Sequence, residues 1–338
     1  MSFYLLAILL FVLALMIVWP LKRYAANLLL IDIPNERSSH VHPTPRGGGI
    51  AIWFSFSLAL IYQYDALSGG LQTLAWLLLI GGGLIALVGL LDDCFNVPVW
   101  PRFSAHLIVA LMSVAMLEKL PTLPVLGGEV SLGWVGYGVY ALLIVWTINL
   151  YNFMDGIDGI ASAQAVCVAL GAALVLLLSG RSDEAGLLTL LAVCCFAFLV
   201  WNWPPAKIFM GDVGSAYLGF VIAIFAIVSA LNDGVNIWTW MILMGVFWVD
   251  ATCTLLWRMA SRQSWHEAHR SHVYQVMARQ WRSHKKVTLS VIGINVFWLY
   301  PWAVMTVIWP QWAFLCVLVS SLPLVYLVFR YGLGKTQE

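Results

Sequence analysis

The sequence predicts an all-α polytopic membrane protein with about eleven transmembrane helices. Of its 338 residues, 62% are hydrophobic and 10% are charged, and the mean hydropathy is +0.89. An ordinary globular chain is about 25% charged. A soluble fold has too little interior to bury this much apolar surface, so most of it must face the lipid bilayer. The formal net charge of +1 gives no general affinity for polyanions, and no nucleic-acid partner is expected.

Eleven apolar stretches approach the length of about 20 residues that a spanning helix needs. They lie at residues 3–20, 47–67, 71–91, 102–118, 133–150, 159–179, 184–202, 213–231, 236–257, 287–309 and 311–330. The sequence shows no internal repeat and no long low-complexity linker. Residues 1–338 are therefore predicted to form a single integral membrane domain, with the two chain ends on opposite sides of the bilayer.

Lysine and arginine residues predict how these helices are oriented. Alternate loops, together with the C-terminal tail, carry all of the 17 lysines and arginines except Lys119 and Arg181. Because positive charge is retained on the cytoplasmic side, the N-terminus is predicted to be external and the C-terminus cytoplasmic. The face that carries the active site is predicted to consist of the cytoplasmic loops 21–46, 91–102, 150–159, 202–213 and 258–286.

Acidic residues next to apolar runs mark this cytoplasmic face. They are Asp92, Asp93, Asp155, Asp158, Asp212 and Asp250. An unpaired carboxylate at such a position is costly, and carboxylates gathered with Asn and Gly favour a divalent cation and a phosphorylated substrate. Neighbouring side chains on a helix point about 100° apart. One of Asp92 and Asp93 is therefore expected to hold a metal or act as a base while the other pairs with an arginine, although a solvated helix end is also compatible with this pair.

A polar segment follows the fifth apolar stretch. Asn149, Asn152 and Asp155 recur at a spacing of three residues, which places polar groups along one helix face. The glycine after each of Asp155 and Asp158 allows a ligand to approach the backbone closely. A plain turn between two helices is the alternative, because Asp-Gly is a strong turn signal. A plain turn does not need two asparagines at membrane depth, so the sequence favours a functional site.

Asp212 opens another apolar stretch in the sequence Phe209-Met-Gly-Asp-Val-Gly-Ser215. It is a candidate ligand for Mg²⁺ at a helix N-terminus, where backbone N–H groups can also meet phosphate oxygens. The simpler interpretation is that Asp212 is only the N-cap of that helix.

A histidine-rich segment follows the ninth stretch. Three of the seven histidines of the chain fall within residues 266–272. His269 and His272 share a helix face and Arg270 adds positive charge, which suits a diphosphate or a nucleotide better than a structural zinc ion. A loop that binds lipid headgroups is the alternative.

The segment from Asp32 to Gly49 is rich in proline and glycine and is predicted to be an ordered loop. Arg37 and Arg46 flank two histidines just before an apolar stretch. They are interpreted as a clamp for a lipid phosphate, with a simple positive anchor at the cytoplasmic surface as the alternative.

In this order, the five segments resemble the polyprenyl-phosphate N-acetylhexosamine-1-phosphate transferase family, over residues 32–275. The sequence Pro45-Arg46-Gly47-Gly48 resembles the branch that starts O-antigen and common-antigen synthesis, and the His-x-x-His spacing resembles O-antigen-initiating members of the WbpL type. Two features depart from the family pattern. The histidines at 266, 269 and 272 are not adjacent, and Arg102 is the nearest candidate for the lysine that many relatives have after the Asp-Asp pair.

The resemblance implies transfer of a sugar-1-phosphate from a UDP-N-acetylhexosamine to undecaprenyl phosphate at the inner membrane of a bacterium, with release of UMP. The product would start lipopolysaccharide O-antigen or a related envelope glycan. By family analogy, Mg²⁺, or Mn²⁺ in its place, would be held by Asn152 and Asp212, and Asp92 and Asp93 would be catalytic. The substrate-binding residues would be Arg37, Arg46, Arg102, Asp155, Asp158, His269, Arg270 and His272. The sequence leaves open which sugar is used and whether the protein is a homodimer.

Two other functions are compatible with an acidic membrane face. An aspartate-rich intramembrane prenyltransferase should carry two helical repeats of the type Asp-x-x-x-Asp, whereas only Asp155 and Asp158 are comparable here. A transporter should carry inverted repeats and charges at the middle of the membrane. Neither pattern is present in the sequence, so the transferase is preferred.

Overall fold

The computed structural model describes residues 2–34, 42–125, 127–231, 235–263 and 270–332, and these residues are mainly helical. The helices are α1 (Phe3–Tyr24), α2 (Gly49–Gln63), α3 (Gly70–Phe95), α4 (Val99–Ala115), α5 (Val135–Met154), α6 (Ile160–Leu178), α7 (Ser182–Asn202), α8 (Asp212–Leu231), α9 (Ile237–Leu243), α10 (Gly245–Ala260), α11 (Val273–Trp281), α12 (His284–Ile308) and α13 (Pro310–Gly332). The strands of the described part are β1 (Ile31–Asp32), β2 (Thr44–Pro45), β3 (Leu123–Val125) and β4 (Gly128–Val130), which form two antiparallel hairpins, β1–β2 and β3–β4.

The predicted all-α membrane architecture is confirmed. Within the described ranges, eight helices are long and apolar enough to cross a bilayer, and the pair α9–α10, which bends by 84°, is a ninth candidate. Helices α2 and α4 are shorter, with 15 and 17 residues, and they fall on two further predicted stretches. Every predicted stretch therefore coincides with a helix or with the bent pair, while the number of crossings and their orientation remain predictions.

Helix α8 lies at the centre of the bundle, and 94% of its most apolar 18-residue window is buried. Small residues let its neighbours approach closely. A Cβ at Gly219 would lie 2.6 Å from the carbonyl oxygen of Thr147 on α5, and one at Gly82 of α3 would lie 2.8 Å from the Tyr217 ring. Small residues at helix contacts are typical of membrane proteins, because close backbone approach increases van der Waals contact. Helices α3 and α5 are thereby packed against α8, so that their C-terminal ends lie beside its N-terminus.

The segment that follows β1 and β2 is tied to the start of α8. The Gly48 amide donates to the Phe209 carbonyl at 3.0 Å, and the Gly49 amide donates to the Met210 carbonyl at 2.8 Å. The Phe209 amide donates back to the Pro45 carbonyl at 2.8 Å. These bonds hold Arg46, which lies between them in the chain, at the same end of the bundle.

Candidate active site

A shared cation joins two of the predicted carboxylates. Arg102, in the first turn of α4, donates from Nη1 to the Asp212 carboxylate at 2.7 Å, and the same atom contacts the carboxylate of Asp92. All three side chains are partly exposed, from 13% for Asp92 to 25% for Asp212. The structure therefore brings together residues that are 110 positions apart in the chain, and it leaves them within reach of a ligand.

Asp93 is used differently from its neighbour. Its side chain is only 2% exposed, and its two oxygens accept the backbone N–H groups of Asp212 at 3.0 Å and Val213 at 3.1 Å. Arg46 lies beside it, donating from Nη2 to the Asp93 carbonyl. Asp93 thus caps the N-terminus of α8 from another helix, where a negative charge is favourable. The close approach needs Gly211, which has φ +75° and whose Cβ, if present, would collide with the Asp93 carboxylate.

Replacing Asp93 by asparagine is expected to lower the unfolding temperature of the protein more than replacing Asp92 by asparagine does. The amide can accept only one of the two N–H groups well, and a hydrogen bond lost from a buried donor costs about 1–3 kcal/mol. The measurement is the thermal unfolding midpoint in detergent, with Asp92→Asn as the matched control. The cap assignment is wrong if the two variants unfold at the same temperature.

Asn152 faces the same narrow crevice as Arg102 and Asp212. The crevice is lined by Gly89, Arg102, His106, Ile148, Asn149, Asn152, Asp212 and Ala216. The amide nitrogen of Asn152 donates to the Ser215 hydroxyl at 3.4 Å, whereas that of Asn149 donates within its own helix to the Val145 carbonyl at 2.8 Å. The two residues that were predicted to bind metal are therefore brought together, and Arg102 accompanies them.

The metal prediction rests on oxygen donors from different residue types. Among the described residues, no three His, Cys, Asp or Glu side chains are arranged as a metal site. Mg²⁺ nevertheless takes one or two carboxylates and completes its shell with water and substrate phosphates. The carboxylates of Asp92 and Asp212 and the amide oxygen of Asn152 are hard oxygen donors of this kind. The residues present therefore fit Mg²⁺, provided that the substrate supplies the remaining ligands.

A basic cavity of about 680 Å³ lies next to the segment that follows α5. Its lining includes Gly156, Ile157, Asp158, Arg270, Gln275, Arg279, Arg282, His284 and Lys285. Arg279 donates from Nη2 to the Arg270 carbonyl at 2.9 Å, and burial, together with the charge of Arg270, lowers the pKa of Arg279. This accumulation of positive charge is suited to an anionic ligand.

The two aspartates after α5 have separate surroundings. Burial is the main factor that raises the pKa of Asp155 well above its usual value, and the charges of Asp93 and Asp158 act in the same direction. Asp158 accepts the Ala206 amide at 3.1 Å, and its carboxylate lies 3.3 Å from Nδ1 of His284. Of the two, Asp158 lines the basic cavity. A site role for Asp155 stays a prediction.

His272 is packed into the protein next to Asp250. Asp250 accepts the amides of Val273 at 3.0 Å and Tyr274 at 3.2 Å, so it caps α11 much as Asp93 caps α8. Nδ1 of His272 lies 3.3 Å from the same carboxylate, and the ring stacks on Phe153. Both side chains are buried, and His272 lines neither the crevice nor the basic cavity. Its contact with substrate remains a prediction, and Arg37 and His269 lie outside the described residues.

Two residues at this end of the bundle have positions that the sequence did not reveal. Asp250 was predicted only as one of the acidic residues of the cytoplasmic face, and its role as the cap of α11 was not. His106 is not among the residues that the sequence predicted for the site, although it lies four residues after Arg102 and therefore on the same helix face.

The fold and the site define a polytopic helical membrane protein with a carboxylate–arginine cluster where helix ends meet. The chain belongs to glycosyl transferase family 4, whose model matches residues 75–230. That range includes Asp92, Arg102, Asn152 and Asp212.

Three similar proteins illustrate the family. A probable undecaprenyl-phosphate N-acetylglucosaminyl 1-phosphate transferase of Bacillus subtilis is 30% identical, over 84% of this chain and 79% of that protein. An undecaprenyl-phosphate alpha-N-acetylglucosaminyl 1-phosphate transferase of Yersinia pestis is 30% identical over 76% and 72% of the two chains. A decaprenyl-phosphate N-acetylglucosaminephosphotransferase of Mycobacterium tuberculosis is 27% identical over 82% and 77%.

Proposed function

We propose that this protein transfers an N-acetylhexosamine-1-phosphate group from a UDP-sugar to undecaprenyl phosphate and releases UMP. The observation that carries the proposal is the Asp92–Arg102–Asp212 cluster, which shares its crevice with Asn152. The names of the three relatives support a polyprenyl phosphate as acceptor and favour N-acetylglucosamine as the first sugar to test. A role in O-antigen synthesis and membership of the WbpL type remain predictions.

The two substrates would be held on two sides of the cluster. The basic cavity has the size of a small-molecule site, for which about 300–1,000 Å³ is typical. It begins four residues after Asn152, at Gly156, so a UDP-sugar in it would have its diphosphate near the crevice. Arg279 and Arg282 would bind donor phosphates there. The lipid phosphate would enter from the bilayer and meet Arg102.

The reaction is a direct displacement. An oxygen of the lipid phosphate attacks the phosphorus that carries the sugar, and the bond from that phosphorus to the bridging oxygen breaks, so that UMP leaves with the bridging oxygen. A phosphate monoester has a second pKa near 6 and is mostly ionised at pH 7. Asp92 would therefore orient the acceptor more than deprotonate it. Mg²⁺ on Asp212 and Asn152 would neutralise charge on the departing phosphate.

We further propose that the protein lies in the bacterial inner membrane with this site facing the cytoplasm. The support is the charge asymmetry of the loops, because Arg46, Arg102, Arg270 and Arg279 all fall on the side that the lysines and arginines mark as cytoplasmic. A UDP-sugar is available on that side.

The test uses purified detergent-solubilised protein with Mg²⁺ and a panel of UDP-N-acetylhexosamines. UMP is expected to form only when undecaprenyl phosphate is present, and to form fastest with one member of the panel. Release of pyrophosphate from a prenyl diphosphate, with no reaction of any UDP-sugar, would favour the prenyltransferase instead.

A further inference from the structure

His106 is a buried imidazole that faces the crevice without a partner. It is 3% exposed, and neither Nδ1 nor Nε2 has a hydrogen-bond partner among the described residues. Buried polar groups in native proteins are nearly always hydrogen-bonded, and an exception points to a function or to a bound group. Most buried polar side chains of this bundle follow the rule. Ser113, two turns further along α4, donates to the Val109 carbonyl at 2.8 Å.

His106 faces the same crevice as Arg102 and the two predicted metal ligands. It lies one turn after Arg102 on the same helix face, and it shares the crevice with Asn149, Asn152 and Asp212. One turn moves the ring about 6 Å along the helix axis from Arg102. Arg102 is near the start of α4, so His106 lies farther from the helix ends that carry the acidic cluster and deeper along the bundle.

The basic cavity shares no lining residue with the crevice. Its described lining comes from residues 156–158, Pro204, Pro205 and residues 270–285, and it includes no residue of α4. A donor held in that cavity would approach the cluster from the α11–α12 side. A phosphate bound by Arg102 from the α4 side would lie about one helical turn from His106, whose buried ring is reached through the narrow crevice.

We propose that His106 binds the phosphate of the lipid acceptor by donating a ring N–H to one of its oxygens. The inference rests on the proposed function, because it assigns a residue to one of the two substrates. Arg102 would supply charge and His106 a directional hydrogen bond, so the acceptor phosphate would be oriented for attack. His106 would thereby gain the partner that it lacks among the described residues.

The experiment measures KM for undecaprenyl phosphate and for the UDP-sugar separately, in wild-type protein and in His106→Leu and His106→Gln. His106→Leu is expected to raise the KM for the lipid about 10-fold, the scale of one hydrogen bond to a charged group, and to change the KM for the UDP-sugar by less than about 2-fold. His106→Gln retains an N–H donor near the position of Nε2 and should restore most of the lipid affinity. Ser113→Ala is the matched control on the same helix and should leave both constants unchanged.

Thermal unfolding separates a binding role from a structural one. Leucine removes an unpaired polar group, so His106→Leu without lipid should unfold at or above the wild-type temperature, whereas added undecaprenyl phosphate should stabilise it less than wild type. A lower unfolding temperature for both His106→Leu and His106→Gln without lipid would show a structural role and overturn the proposal. An unchanged lipid KM, or an increase confined to the UDP-sugar, would also overturn it. Wild-type protein that forms no UMP would instead contradict the proposed function.

Discussion

Asp212→Ala is expected to reduce sugar-phosphate transfer by at least about 10³-fold while the protein stays folded in the membrane. Asp212 contacts Arg102 and shares the crevice with Asn152, so in the proposed reaction its carboxylate would act on the phosphates. The N-cap interpretation of Asp212 is not what the structure shows, because the amides of Asp212 and Val213 are accepted by Asp93. The start of α8 should therefore survive the substitution.

The measurement is UMP formation at saturating substrates and several Mg²⁺ concentrations, with the unfolding midpoint as a check on folding. Asp183→Ala is the matched control. Asp183 also lies in the first turn of a long apolar helix, but it is exposed and belongs to the external side in the predicted orientation. Near-normal transfer by Asp212→Ala with added Mg²⁺ would show that the metal assignment is wrong.

Arg102→Ala should reduce transfer by about 10²-fold or more, the scale seen when one hydrogen-bond donor to a reacting oxyanion is removed. The substitution leaves the carboxylates of Asp92 and Asp212 without the cation that they share, so the two charges repel each other and any incoming phosphate. A single nitrogen, Nη1, makes both contacts. A lysine ammonium can therefore replace part of this role, and Arg102→Lys should be clearly more active than Arg102→Ala.

Initial rates for the two Arg102 variants are compared with Arg181→Ala, the matched control. Arg181 also pairs with a carboxylate, Glu184 at 2.7 Å, but at the start of α7 and away from the crevice. Wild-type activity in Arg102→Ala would remove Arg102 from the site. Equal losses for alanine and lysine would show that the planar guanidinium, rather than its charge, is what the site requires.

Hydrophobic runs predicted the helices well, because a spanning helix is specified locally by its own length and composition. The orientation that the charge asymmetry indicates stays a prediction. The pattern of apolar residues also located α2 and α4, but it did not reveal the 84° bend that divides the ninth stretch into α9 and α10.

The sequence predicted some features of the site and missed others. The sequence indicated that Asp92 and Asp93 have different roles, since adjacent side chains on a helix diverge. It did not indicate that Asp93 caps α8, because that contact joins residues 119 positions apart. The basic cavity likewise combines residues 156–158 with residues 270–285, and only the tertiary fold brings them together. His106 had a local signal in its spacing from Arg102, but a lone histidine in an apolar helix is more often part of the core.

The most direct test of direct transfer follows the phosphorus that carries the sugar. The donor is a UDP-N-acetylhexosamine labelled with ³²P in that phosphate, incubated with purified protein, Mg²⁺ and undecaprenyl phosphate. The expected result is that the label moves into a lipid diphosphate that carries the sugar, with one UMP formed for each labelled lipid and none formed without lipid. Release of labelled UDP, label bound covalently to the protein, or UMP formed without lipid would contradict direct transfer of the sugar-phosphate to the acceptor.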